Sequence, residues 1–354
     1  MDDCYGRSLG NLGSSAKLGA TAPEMAGLLS PNCTVSPLCN YNKVWMAYTD
    51  GNSFSGALDA PVPYTLPNGS TTNIWFRGRA NLDATLDALQ RNVMGAPAPI
   101  TSARHIVETG CSAGGLATYL HADYLFDYFK PKITGTYLSM PISGYFLDAV
   151  SQSGVRQYGA QIAVIHALSN ASTNAACEAV NAGTPDAYKC NMAEYVYPYI
   201  RAPVFALNSF YDSWQTGCIM TAEPVSVPHS LANGNCSAAP GWRACAGNPA
   251  SCTPAQISTG YLPFGAEMIS SFTVDNAAKS GAPGSGGFLT SCHTHCEAQG
   301  GGFDTFAIDG SSMRAAAAAW ITANQASAGT SKAQWSIDTA CASGSAAGVL
   351  CAGR

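Results

Sequence analysis

The chain has 354 residues, 47% of them hydrophobic and only 11% charged, with a net charge of -5. A chain of this length and apolar content buries a large core, which excludes disorder for most of it. No basic run offers a nucleic-acid surface, and no apolar stretch approaches the roughly 18 residues that span a bilayer.

Taken in chain order, Lys43 to Tyr48 predicts a strand that ends in the turn Thr49-Asp50-Gly51. Residues 57–73 are Pro-rich and read as irregular. Asn81 to Val93 places Leu82, Leu86, Leu89 and Val93 at helical spacing and predicts an amphipathic helix. Ala103 to Thr109 predicts a buried strand, and Gly115 to Phe126 a helix. Between them stands Gly110-Cys111-Ser112-Ala113-Gly114, a G-x-S-x-G turn. Such a turn between strand and helix pushes its serine clear of the sheet, and small flanking residues let it close. The helix N-terminus behind it favours developing negative charge. Ser112 is therefore the candidate nucleophile, with a bystander serine in a Gly-rich turn as the alternative.

Gly135 to Ile142 predicts a further buried strand. Residues 151–200 turn helical and cysteine-bearing, a segment able to cover a site; His166 lies there in an apolar run and reads as packed structure. Pro203 to Asn208 predicts a strand running into Tyr211-Asp212-Ser213-Trp214-Gln215. In the chain order Ser, then acid, then His, Asp212 falls where the acid belongs, although a cap or turn Asp is common after strands. Tyr211 and Trp214 are candidate pocket aromatics, with core packing as the more frequent role of such residues. Asp50 and Asp148, near strand ends, suit turn or cap roles better than a pocket. Residues 217–259 are rich in Cys, Pro and Gly, and read as a disulfide-stapled insertion.

After the short apolar run Gly287-Phe288-Leu289 comes Ser291-Cys292-His293-Thr294-His295-Cys296. Motif logic alone does not separate His293 from His295 as the base. The cluster also invites a zinc reading, but four ligands within five residues cannot easily wrap one tetrahedral ion. A disulfide beside a catalytic histidine fits better. Met313 to Ala323, with its alanine run, predicts a helix, taken as the terminal one packing on the sheet. Strands alternating with helices imply a mainly parallel sheet covered on both faces.

Fourteen cysteines, many in polar loops, suit an oxidising compartment. Local spacing points to Cys33–Cys39, Cys177–Cys190, Cys245–Cys252 and Cys341–Cys351 as pairs. Cys111 reads as a buried free thiol or a pocket wall. Sequons at Asn32, Asn68, Asn170 and Asn235 permit glycosylation. Nothing in the sequence sets an oligomeric state.

These residues resemble a known family, the pectin acetylesterase and Notum carboxylesterases. Gly110 to Ala117 looks like its nucleophile segment, Tyr211 to Gln215 its acid segment, and Ser291 to Cys296 its histidine segment. In the family the histidine directly precedes the second cysteine, which matches His295 and leaves His293 as a neighbour. Weaker echoes include Leu12 to Ser15, Asp50 to Phe54, Phe76-Arg77-Gly78 and Cys252 to Gln256. The resemblance runs from about Cys4 to Cys351 and is closer to the plant-type pectin acetylesterase branch.

The resemblance implies an α/β-hydrolase-like fold over residues 1–354, with 151–200 as a helical cap-like segment and 217–259 as an insertion. It implies a secreted esterase with Ser112, His295 and Asp212 as its triad, needing neither metal nor cofactor. Its substrate would be an acetylated polysaccharide or another ester, with protein deacylation and a non-catalytic relative as alternatives. Ala113 N–H is the one oxyanion-hole donor placed, and Cys111, Gly114, Tyr211, Trp214 and His293 are possible pocket members. The family carries, upstream of the region matching Cys4, a strand and a glycine-rich loop with a tryptophan that complete the hole. Nothing in Met1 to Gly13 matches that loop, nor is there an apolar signal segment. The sequence is thus expected to start inside the ancestral protein, with N-terminal strands missing and a sheet edge left open.

Overall fold

A computed structural model describes residues 1–19, 21–93, 95–224, 236 and 238–338. Two β-strands come first, β1 (Val62–Thr65) and β2 (Thr71–Ile74), as an antiparallel hairpin. Five strands then form one parallel sheet: β3 (His105–Cys111), β4 (Thr136–Ile142), β5 (Phe205–Ser209), β6 (Gly286–Thr290) and, after the two-residue strands β7 (Ala307–Ile308) and β8 (Ser311–Ser312), β9 (Gln334–Ile337). They lie side by side in sequence order, so each crossover adds a strand on the same flank. β4, β5 and β6 are buried along their whole length, whereas β3 and β9 are half-buried edges.

The period of two in a strand assigns each residue a face. Tyr137, Val204, Ala206 and Leu289 join the core on one side. There they meet α2 (Ala113–Phe129), introduced by the helix α1 (Gly78–Gln90) that packs Leu82 and Leu86 into the same core. Leu138, Met140, Ile142, Phe205, Leu207 and Phe288 point the other way. They meet Met313, Ala317, Trp320 and Ile321, while Leu28 and Leu38 of the N-terminal loops join them. Two separate apolar cores on opposite faces follow from continuous apolar strands, as parallel sheets require.

Residues 151–200 hold helices as expected, α3 (Gln157–Ser169) and α4 (Ala175–Asn181), and a disulfide joins Cys177 of α4 to Cys190 of the 3-10 helix Ala187–Asn191. His166 lies half-buried in α3, its pKa lowered by desolvation. Cys33–Cys39 and Cys245–Cys252 pair as expected. Cys218–Cys236, within the 217–259 segment, is an additional pair. Cys341–Cys351 and the Asn235 sequon lie outside the described residues. Asn32, Asn68 and Asn170 are exposed.

Three expectations need correction. Lys43 to Tyr48 forms no strand, because no neighbouring strand takes its hydrogen bonds among the described residues, and Val44 and Trp45 are exposed. The Pro-rich stretch holds the β1–β2 hairpin, closed by a Leu66–Gly69 turn in which Gly69 adopts φ +84°. Helix α1 stops at Gln90, so Val93 lies past its end and is 63% exposed. The alanine-rich helix, α5 (Met313–Ala326), is the last helix among the described residues and packs on the sheet as expected. The strand β9 that follows it is not foreseen from the sequence, since a short edge strand needs no continuous apolar run.

His121 in α2 is 1% exposed, and its Nε2 donates to the Ser53 carbonyl at 3.0 Å. Burial lowers its pKa from 6.5 to about 4. The neutral ring therefore stabilises the fold above pH 6.5, and that contribution is lost as pH falls through the window down to about 4. A difference of this size corresponds to roughly 3 kcal/mol. Denaturant unfolding at pH 7 and pH 4.5 is expected to show the wild type losing stability over this range. His121→Gln, which cannot titrate, is expected to lose less by up to that amount.

Candidate functional site

Ser112 sits between β3 and α2 with φ +59° and ψ -121°, a backbone conformation that side chains rarely adopt. Three packing constraints hold it there. The Ser112 N–H donates to the Ile142 carbonyl at the end of β4, at 3.0 Å. A Cβ on Gly110 would lie 2.5 Å from the Gly114 carbonyl oxygen, and one on Gly115 would lie 2.3 Å from the Ile142 oxygen. Glycine at both places is what lets the helix start so close to two strand ends. The Ser112 side chain does not cap α2. The N–H groups of Ala113 and Gly114 belong to the first turn, where an α-helix leaves donors without intrahelical partners.

Asp212 follows β5 and is fully buried. Its two oxygens have separate tasks. Oδ1 accepts from Trp214 N and Gln215 N, each at 3.0 Å, and so caps the short helix Ser213–Gln215. Oδ2 accepts from His295 Nδ1 at 2.7 Å. The cap and turn role and the imidazole contact are therefore both present in one carboxylate. The loop after β6 is tied to the loop after β5 twice more, by Ser213 N to the Thr294 carbonyl at 3.1 Å and Ser209 Oγ to the Cys292 carbonyl at 2.5 Å.

The two histidines point to different partners. His295 is paired with Asp212, while His293 Nε2 lies 3.0 Å from Thr216 Oγ1 and its pKa is lowered by burial. Cys111, read from the sequence as a thiol or pocket wall, is instead disulfide-bonded to Cys296. A cysteine directly before Ser112 is thus joined to the one directly after His295, and a His295 ring nitrogen lies within 4.8 Å of both sulfurs. Thiolates are the metal-binding form of cysteine, and both sulfurs here are spent on each other. Cys296 itself has φ +66°, and its N–H donates to Ser143 Oγ at 3.0 Å. Ser143 escaped the sequence reading; its only signal is the Pro-Ile-Ser-Gly turn that closes β4.

Tyr211 takes the core-packing role, the more frequent of the two open to it. It is 1% exposed, packed on Phe210 and Tyr261 in the core. Trp214 is half-buried, stands edge-on to Phe146 at 5.0 Å, and lines a cavity of about 1110 Å³. That cavity is walled by Ile74, Trp75, Phe76, Tyr158, Ile162 and Leu168 among others; Ser112, Asp212 and His295 are not among its lining residues. Asp50 accepts backbone N–H bonds from Asn52, Phe54 and Gly56, which is the turn role. Asp148 is buried near Arg156 at 3.7 Å.

A parallel sheet with a strained serine on a strand-to-helix turn, and loops bearing an acid and a histidine after later strands, defines an α/β-hydrolase. The chain belongs to the pectinacetylesterase family, whose profile matches residues 1–342. It is 31% identical over 290 residues to pectin acetylesterase 11 of Arabidopsis thaliana, covering 80% of this chain and 64% of that protein. It is 30% identical over 300 residues to pectin acetylesterase 5 of the same plant, covering 83% and 61%. The chain thus spans about three fifths of the length of these relatives. Among solved structures, the Wnt deacylase Notum from Drosophila shares the fold with a TM-score of 0.70 at 19% identity, over 96% of this chain and 83% of that one.

Gly115→Ala puts a methyl group against the Ile142 carbonyl and is expected to destabilise the protein by about 2 kcal/mol or more. Thermal unfolding of the variant beside Gly114→Ala, whose Cβ meets nothing within 4 Å, checks this. Equal midpoints for the two variants would refute the close-packing account of the turn.

Proposed function

We propose that this protein is a serine carboxylesterase that removes acetyl groups from a pectin-like polysaccharide. The observation that carries the reading is the Asp212–His295 pair at 2.7 Å, cross-linked through Cys296 and Cys111 to the Ser112 turn. Asp212 fixes the imidazole with its N–H on Nδ1, which leaves Nε2 as the acceptor for the Ser112 hydroxyl proton. Ser112 Oγ attacks the ester carbonyl and His295 takes its proton, then returns it to the leaving sugar hydroxyl. Water, deprotonated by the same ring, attacks the acetyl-enzyme and releases acetate. Ala113 N–H stabilises the oxyanion, aided by the positive end of α2.

Membership in the pectinacetylesterase family supports the acetyl-polysaccharide substrate. Five disulfides among the described residues support a secretory compartment. No described helix is long and apolar enough to cross a membrane. We read residues 1–354 as one catalytic domain, with 151–200 as its cap and 217–259 as its insertion.

A second reading, hydrolysis of a longer acyl ester, is favoured by one feature. The cavity of about 1110 Å³ has Trp214, two residues from Asp212, in its wall, together with the apolar Ile74, Phe76, Ile162 and Leu168. The fold likeness to the Wnt deacylase gives that reading a precedent in this architecture.

Hydrolysis of an aryl acetate is expected to fall by about 10³-fold or more in kcat for Ser112→Ala and His295→Ala. His293→Ala is expected to stay within about threefold of wild type, since its partner is Thr216. An inactive His293→Ala beside an active His295→Ala would reverse the assignment. Comparing aryl acetate with aryl octanoate separates the two substrate readings. A higher kcat/KM on acetate, with acetate released from acetylated pectin, supports the first; a preference for octanoate supports the second.

A further inference from the structure

The sheet divides the site into two halves. Ser112 stands on β3 and is tied to the end of β4, while Asp212 and His295 follow β5 and β6. The base of the His295 loop is fastened to its own half, through Ser209, Ser213 and Thr290. Its tip is not. Residues 295 and 296 reach across to the nucleophile's half, and two links hold them there: the Cys111–Cys296 disulfide, which joins positions 185 residues apart, and the Cys296 N–H to Ser143 Oγ bond. Ser143 follows directly on Ile142, whose carbonyl holds the Ser112 N–H. A closed ring results, running from Ser112 to Ile142, Ser143, Cys296 and Cys111, and back to Ser112.

The backbone at Cys296 marks the tip as constrained. Its φ of +66° is a conformation that residues other than glycine rarely take. Ser143 also has a positive φ, of +46°. Without the cross-link, the left-handed turn at Cys296 relaxes toward ordinary angles and carries the adjacent His295 with it. The Asp212 contact would then hold Nδ1 alone, and the direction of Nε2 relative to Ser112 would be free.

We propose that the Cys111–Cys296 disulfide and Ser143 are the positioning device of this site. They set His295 against Ser112, so that their loss slows the chemical step while leaving substrate binding and the fold in place. The proposal rests on the esterase reading above. Neither cysteine touches substrate in it; both act through their neighbours. Misplacing a catalytic group by about 1 Å is enough to cost on the order of 10²-fold in rate.

The test compares wild type, Ser112→Ala, the double variant Cys111→Ala/Cys296→Ala and the control Cys177→Ala/Cys190→Ala. The readouts are kcat and KM on an aryl acetate, the rate at which a fluorophosphonate labels Ser112, and the thermal midpoint. The double variant is expected to lose about 10²-fold in kcat, with KM within about threefold and labelling slowed in parallel. The control, whose disulfide lies in the helical segment, is expected to lower the midpoint and leave kcat unchanged. Should the double variant not fold, Ser143→Ala keeps the cross-link and removes only the acceptor of the Cys296 N–H. It is expected to lose about tenfold in kcat at unchanged KM. Wild-type kcat in the folded double variant, or in Ser143→Ala when that stands in for it, overturns the proposal and leaves the esterase reading intact. Equal rates for wild type and Ser112→Ala overturn the esterase reading and the proposal with it.

Discussion

The bond from the Ser112 N–H to the Ile142 carbonyl is the point on which the site turns. It pins the residue directly after β3 to the last residue of β4, and it can form only if α2 begins within contact distance of both strands. That closeness is what Gly110 and Gly115 supply. The positive φ at Ser112 follows from the same crowding, because the chain must reverse from strand to helix within one residue. Unfavourable backbone angles at a functional serine persist because the surroundings over-determine them. Here the surroundings are a fully buried strand on one side and the first turn of a helix of 17 residues on the other.

Once that corner is fixed, parallel strand order decides the rest. Every strand in the sheet runs the same way, so the loops after β3, β4, β5 and β6 emerge along one edge. Ser112, Ser143, Asp212 and His295 each come from a different one of these loops. Residues far apart in the sequence meet because the strands that deliver them are neighbours. Asp212 shows how little freedom is left: one oxygen is committed to two backbone N–H groups of its own helix, so the other can only face the imidazole. A buried carboxylate with all its bonds assigned holds a fixed direction, which a solvent-facing one would not.

The sequence made the elements legible where composition and period agree. The strand, turn and helix around Ser112 were readable because buried strands have apolar runs and the turn needs small residues. Three local disulfides were readable because short spacing between loop cysteines leaves few other partners. What stayed hidden depends on contacts between distant residues. Cys111 and Cys296 carry no sign in sequence that they face each other: the histidine loop suggests a disulfide without naming its partner, and Cys111 reads as a buried thiol. The choice between His293 and His295 is similar. Both lie in one loop, motif logic does not separate them, and apart from the family resemblance it is their contacts with Asp212 and Thr216 that do. Tyr211 and Trp214 flank the same acid, yet the helix begun by Asp212 turns one into the core and the other toward the cavity. Lys43 to Tyr48 has strand character but lacks a neighbour, and strand formation is a property of pairs.

The cross-linked tip also bears on how much of the candidate site's geometry must come from the sheet. Ser112 needs no help from the histidine loop to hold its angle, since β3, β4 and α2 do that. His295 lacks any comparable scaffold: its loop is short, and β6 ends at Thr290, five residues before it. Hydrogen bonds to the β5 side fix its base, and the Asp212 contact fixes one nitrogen of the ring. The remaining freedom is rotation of the tip about that contact. In the proposal above, the covalent bond from Cys296 to Cys111, the residue before Ser112, removes that freedom. Its location follows from where the sheet's own support for the site runs out.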